Sequence, residues 1–274
     1  MRCGSIMVSQ LNTSPLPRPQ GNLVELLAEE IIVLVKAVPQ VGARHGETVC
    51  CAGVTATNQW RRLFPIRFRQ LSDDAKFVRW QRLSYRAHRP TDDARVESRR
   101  VHEESLSPGL VLADKERVQL VSRLVVPSAI AAAEHQQSLA LVRPTKFEFY
   151  SKLRKSDEHE RLKRAYAEAG KQTSFLDKEL SAFEPPRYEF RVSFKDSSGE
   201  HDHECGDWET IAAFRKFSKL YGDDEAITRL SEIYNKQYAP KGLVVALGTM
   251  KKRPQTWLML GIIRADDALQ MNLF

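Results

Sequence analysis

No stretch of this 274-residue chain is apolar for long enough to cross a bilayer as a helix: the run Ile31 to Val35 is closed at once by Lys36, whereas a span needs roughly 18 to 20 such residues. No membrane partner is therefore expected. Cysteine is scarce. Cys3, Cys50, Cys51 and Cys205 have neither the spacing of a disulfide framework nor a paired CxxC, so a reducing cytoplasm is the expected location. Neither a GxxxxGK[ST] loop nor a GxGxxG turn occurs, which leaves nucleotide-driven and nicotinamide chemistry without support, and no cofactor is expected. The first 22 residues lack the apolar core of a secretory signal and are rich in Ser, Pro, Asn and Gln, the composition of a flexible tail.

The chain does have positive charge, and it is unevenly placed. The formal net charge is +7. Between Trp60 and Arg100 there are twelve Arg or Lys against five acids, a surplus of seven, so the remainder is close to neutral. Eleven of the twelve are arginine, whose planar fork suits phosphates and base edges better than a lysine does. Trp60, Phe64, Phe68, Phe77, Trp80 and Tyr85 are interleaved with them, and cations with aromatic faces are how single strands are commonly held. This predicts a nucleic-acid surface for DNA or RNA, tolerant of sequence, in which Arg61, Arg62, Arg67, Arg69, Arg79, Arg82, Arg86 and Arg89 grip phosphates and Trp60, Trp80 and Tyr85 stack. The competing reading is ordinary strand alternation, with the aromatics as core and the arginines as a solvated face.

The length suggests two globular units, expected over residues 23–144 and 145–274 after the tail. The first reads as a small β-barrel with strands at Ile31–Val38, Thr48–Thr55, Trp60–Ile66 and Phe77–His88, because short apolar runs alternate with turn signals. Pro90–Pro108 is polar and reads as a long loop. Val118–Val126 and Ser138–Val142 are candidate returning strands around a short helix at Ala129–Gln137. The second unit reads as α+β. A charged helix at Ser156–Gly170 precedes a strand at Tyr188–Phe194, whose apolar residues alternate. Asp207 caps a helix that Gly222 stops, and Asp223 or Asp224 caps another. Both helices are expected to pack on a small antiparallel sheet closed by Leu243–Gly248 and Trp257–Ile263, whose connecting tip carries Lys251, Lys252 and Arg253. That tip is a further candidate phosphate contact.

Catalytic patterns are thin. His201, His203 and Cys205 alternate along one extended segment and are the best metal candidates, but a fourth tetrahedral ligand is missing. Asp74 with Lys76, or Asp196 with Asp207 and Glu209, can be read as a nuclease's divalent-ion set, although Asp207 and Glu209 suit a helix start equally well. Cys50 with His45 is a weak nucleophile pair. No catalytic residue and no metal site is assigned.

The segments Val33-Leu34-Val35-Lys36, Glu47 to Val54 and Trp60-Arg61-Arg62-Leu63-Phe64-Pro65-Ile66 resemble the opening of dual OB-fold domain proteins of prokaryotic conflict and phage-defence systems. Those proteins pair a strand with a "CxAG" strand and a "W-[IV]-R" strand. Arg61 and Leu63-Phe64-Pro65 depart from that pattern, and the likeness covers the N-terminal third. The C-terminal half, with Asp207-Trp208-Glu209 and the segment Gly248 to Pro254, is similar to uncharacterised bacterial proteins. The resemblance implies an OB barrel, a fold whose open face binds oligonucleotides. Three functions follow from these readings: a non-catalytic nucleic-acid-binding adaptor or sensor, a metal-dependent nuclease or other nucleic-acid-processing enzyme, and a protein-interaction subunit whose arginine face docks an acidic partner.

Overall fold

The computed structural model describes residues 25–42, 46–173 and 183–265. The expected N-terminal tail, Cys3 and His45 lie outside the described residues. Six strands come first: β1 (Leu27–Lys36), β2 (Gln40–Gly42), β3 (Gly46–Val54), β4 (Trp60–Ile66), β5 (Gln81–His88) and β6 (Ser98–Val111). Five of them close into a ring in the order β1-β5-β6-β4-β3, with β3 pairing back onto β1 and β2 extending β3. β4 and β6 run parallel, while the other contacts of the ring are antiparallel. This is the expected small β-barrel. Closure leaves no room at Gly53, where a Cβ would lie 2.2 Å from the Ile32 carbonyl oxygen.

Alternation fills the barrel. Ile31, Val33, Cys51, Leu63, Leu83 and Tyr85 point inward, as period-two pleating requires. The opposite face of the same wall, with Ile32, Leu34, Ala52 and Val54, is apolar as well. A second layer covers it, which is why β1 reads as a continuous apolar run. At one end of β1 the barrel is plugged by Phe77, with Phe68 edge-on at 5.1 Å, and by Lys36, whose Nζ donates to the Phe77 carbonyl at 3.2 Å. Near its other end stands Glu29.

The covering layer belongs to the C-terminal half. After α1 (Asp114–Leu124) come β7 (Val125–Val126), α2 (Ala129–Glu134), β8 (Leu139–Val142), β9 (Lys146–Leu153) and α3 (Ser156–Thr173). They are followed by β10 (Tyr188–Asp196), β11 (Gly199–Glu204), α4 (Trp208–Tyr221), α5 (Asp223–Ser231), β12 (Leu243–Met250) and β13 (Arg253–Arg264). Two sheets result, one ordered β13-β12-β8-β7 and one ordered β11-β10-β9. The first lies in the middle of the molecule. Leu139, Leu141, Val244 and Ala246 pack on the barrel wall with Trp60 and Trp80, while Ala140, Val142, Val245 and Leu247 meet Phe190, Ile211, Phe214 and Leu230 of the outer sheet and helices. A strand buried on both faces must be apolar at every position. Each such side chain contributes roughly 1.5–3 kcal/mol of burial.

Several expectations change. Pro90–Pro108 is not a loop: from Ser98 it is the longest barrel strand, disguised because only Val101 and Leu106 supply apolar inward positions while Arg99 turns in toward Glu29. Val118–Val126 is mostly helix α1, because Val118, Val121 and Leu124 are buried at three-residue spacing. Ser138–Val142 pairs with β12 rather than with the barrel. Phe77–Trp80 is a plug rather than strand, and Trp80 has φ of 70°. The helix expected to stop at Gly170 runs on to Thr173. Asp207 does cap α4, and Gly222, at φ +85°, ends it. Asp223 and Asp224 sit in the first turn of α5, not at its cap.

Candidate nucleic-acid interface

Most arginines of the window are taken up by partners elsewhere in the chain. Arg61 Nε and Arg99 Nε clasp the two oxygens of Glu29 at 2.8 and 2.7 Å, and the Tyr85 hydroxyl donates to the same carboxylate at 3.0 Å. This cluster closes the Glu29 end of the barrel. Burial pushes the Glu29 carboxyl up, but the bonds from Arg99 and Arg61 outweigh it and hold the group below its ordinary range. Elsewhere Arg67 pairs with Glu103 at 2.6 Å, Arg82 with Glu30 at 3.1 Å and Arg95 with Asp93 at 2.7 Å. Arg62 is buried between barrel and central sheet, donating to the Ser138 carbonyl at 3.1 Å. Ser138 in turn donates from its backbone N–H and its hydroxyl to buried Glu97 at 2.7 and 3.0 Å.

Arg79 has a different task. Its guanidinium reaches Asp207 at 2.9 Å and the Ile262 carbonyl at 2.7 Å. Asp207 also accepts the Ile262 N–H at 3.0 Å and the Glu209 N–H at 3.1 Å. The pair therefore satisfies the outer edge of β13, caps α4 and ties the barrel to the C-terminal half. Burial pushes the Asp207 carboxyl up, against the opposing pull of Arg79.

These placements correct the expected site. Trp60, Trp80 and Tyr85 are all less than a tenth exposed, so none presents a face to a base. Arg61, Arg62 and Arg79 are internal braces rather than phosphate contacts. The barrel wall that an OB fold would offer to an oligonucleotide is occupied by the central sheet.

The remaining cations converge elsewhere. On β5 and β6 Arg86 stands opposite His102 and His88 opposite Arg100, with the two imidazoles 5.6 Å apart on the outer face. Burial lowers the pKa of His88, and the neighbouring His102 and Arg100 lower it further. Between β5 and β6, Asp92 accepts from Arg100 Nη2 at 3.0 Å and from Lys251 Nζ at 2.6 Å. Arg95 anchors the same loop to β12 through the Thr249 carbonyl at 2.7 Å. The 86–100 cations and the Lys251, Lys252, Arg253 tip thus share one surface. Arg86, Arg89, Lys252 and Arg253 are exposed there. Arg69, by contrast, is half-buried on the one-turn helix after β4.

The sequence alone does not single out Arg100 and Asp92. Their significance depends on Lys251, which is 159 positions from Asp92, and no local pattern could have shown it.

The catalytic candidates disperse. His201 and His203 stack at 6.1 Å, and His201 bonds Asp196 at 2.9 Å, but buried Cys205 contacts Thr210 instead. Among the described residues no group of three or more His, Cys, Asp or Glu side chains converges in a way that could hold a metal ion. Lys76 pairs with Asp73 rather than Asp74, and Glu209 pairs with Lys36. Burial pushes the Cys205 thiol up to about 12 and raises Cys51 further, so neither is a ready nucleophile. Among the described residues no helix is long and apolar enough to cross a membrane.

The architecture is that of a closed five-stranded barrel fused through a shared apolar core to an α+β layer. The chain belongs to the family described as Domain of unknown function (DUF8757), whose model matches residues 122–274. Residues 27–126 match a second model, Domain of unknown function (DUF8758). The two matches meet at the end of α1. No curated protein matches the chain.

Proposed function

We propose that this protein is a non-catalytic nucleic-acid-binding adaptor or sensor that grips the phosphate backbone with the outer face of β5–β6 and the tip between β12 and β13. The observation that carries the reading is the Arg100–Asp92–Lys251 bridge, which places cations from two distant parts of the chain on one exposed surface. Arg86, Arg89, Lys252 and Arg253 flank it and make no ion pair with a described carboxylate. With Trp60, Trp80 and Tyr85 buried, recognition rests on backbone charge, so binding is sequence-tolerant and steeply salt-dependent. The resemblance to dual OB-fold proteins of mobile-element and phage-defence systems fits such a role, although the surface differs from the usual OB face.

The test is a titration of labelled single-stranded DNA, duplex DNA and RNA at two salt concentrations, with and without magnesium, with products resolved on a denaturing gel. Salt-sensitive binding with intact probe is expected. Cleavage would make the protein a nuclease, and absence of binding to all three probes would sink the proposal.

A further inference from the structure

Resting on that reading, we propose that Arg100 and Lys251 form the oxyanion subsite of the surface and that Asp92 occupies it as an internal stand-in for a backbone phosphate. The two oxygens of this single carboxylate are engaged separately, Oδ1 by the Arg100 guanidinium at 3.0 Å and Oδ2 by the Lys251 ammonium at 2.6 Å. A pair of non-bridging phosphodiester oxygens presents a similar fork of acceptors. The cations come from separate elements, one from β6 and one from the β12–β13 tip, and they meet only at Asp92.

All three side chains remain open to solvent, at 32%, 48% and 44% exposure for Arg100, Asp92 and Lys251. A ligand can therefore enter without dismantling the core. The local charge favours that exchange. Arg86 stands beside Arg100 on the same face, Arg89 precedes Asp92 by three residues, and Lys252 and Arg253 follow Lys251. Against them stands Glu104, 3.4 Å from His102. The adjacent loop is held without Asp92, because Arg95 bonds Asp93 and the Thr249 carbonyl. Asp92 can thus swing away while the loop keeps its place. Its carboxylate competes with incoming phosphate, and in the free protein it bridges the two cations until a polyanion displaces it.

Variants at two positions, Asp92 and Glu104, that lose the same unit of charge separate this role from general electrostatics. Binding of a labelled 20-nucleotide oligothymidine is measured for wild type, Asp92→Asn, Asp92→Ser and Glu104→Gln over a salt series, with circular dichroism and melting to verify folding. The subsite predicts that both Asp92 variants bind at least about tenfold tighter than Glu104→Gln, equivalent to one charge-assisted hydrogen bond gained. Their salt dependence steepens by about 0.7 or more per freed contact. Adding Arg100→Gln and Lys251→Gln to Asp92→Asn abolishes the gain. If the folded Asp92 variants bind no tighter than Glu104→Gln, or more weakly than wild type, the subsite is overturned while the wider surface stands. If neither wild type nor any variant binds, both proposals fall.

Discussion

Replacing Asp207 with alanine is the most severe single perturbation the architecture suggests away from its apolar cores. The carboxylate has no exposed surface and faces Arg79, itself only 14% exposed. Removing it leaves a guanidinium buried without its anion, an effect of about 3–5 kcal/mol. The α4 cap disappears as well, at about 1 kcal/mol, and the Ile262 N–H loses its acceptor. The total, about 4–6 kcal/mol, is a large part of the roughly 5–15 kcal/mol by which a folded protein is stable. Urea unfolding followed by tryptophan emission reads the change as a lowered midpoint at similar slope. Trp60, Trp80, Trp208 and Trp257 report from both halves. The companion Arg79→Met/Asp207→Leu variant replaces two charges by apolar groups and is expected to be less destabilised than Asp207→Ala alone, because no unpaired ion remains. A loss below about 1 kcal/mol for Asp207→Ala, or a double variant as costly as the two single changes added, would refute this account of the junction.

Other consequences are separable. Burial raises the Asp93 carboxyl, but Arg95 and Ser98 overcome that and bring it down to about 2. Because the folded value lies below the ordinary value near 3.9, Asp93 contributes about 2 kcal/mol above pH 4 that disappears as pH falls toward 2. Urea midpoints measured across that interval are expected to flatten in Asp93→Asn. Gly53→Ala forces a methyl toward the Ile32 carbonyl and is expected to cost about 3 kcal/mol or more through overpacking; a melting temperature equal to wild type would contradict so tight a closure. Arg62→Met, which removes a buried guanidinium beside Ser138, is expected to change stability while leaving the salt dependence of nucleic-acid binding as in wild type. A flatter salt slope would return Arg62 to the binding surface.

How much was legible in the sequence depended on whether the signal was local. The β4 strand has the bounds expected from Trp60 and Ile66, and the α4 cap and stop follow from Asp207 and Gly222, because turn and cap chemistry acts over a few residues. β6 was hidden because its inward positions include Arg99, whose burial makes sense only once Glu29, seventy positions away, is known. The arginine window looks like a surface for the same reason. Sequence gives the number of cations but not the carboxylates that fold onto them, and Glu29, Glu30, Glu103 and Asp207 all lie outside the window. The apolar character of both β1 faces carried a clue: a barrel wall with two buried sides has a partner layer, so it cannot also be an open ligand face.

The central claim is that the working cations are those on β5–β6 and the β12–β13 tip. Fluorescence anisotropy of labelled single-stranded DNA over a salt series, for wild type and for a variant with Arg86, Arg89, Lys252 and Arg253 all changed to alanine, tests it directly. The account predicts salt-sensitive binding by wild type and a slope lower by roughly 0.7 for each contact removed, with circular dichroism unchanged. Equal affinity and slope in the two proteins would contradict it.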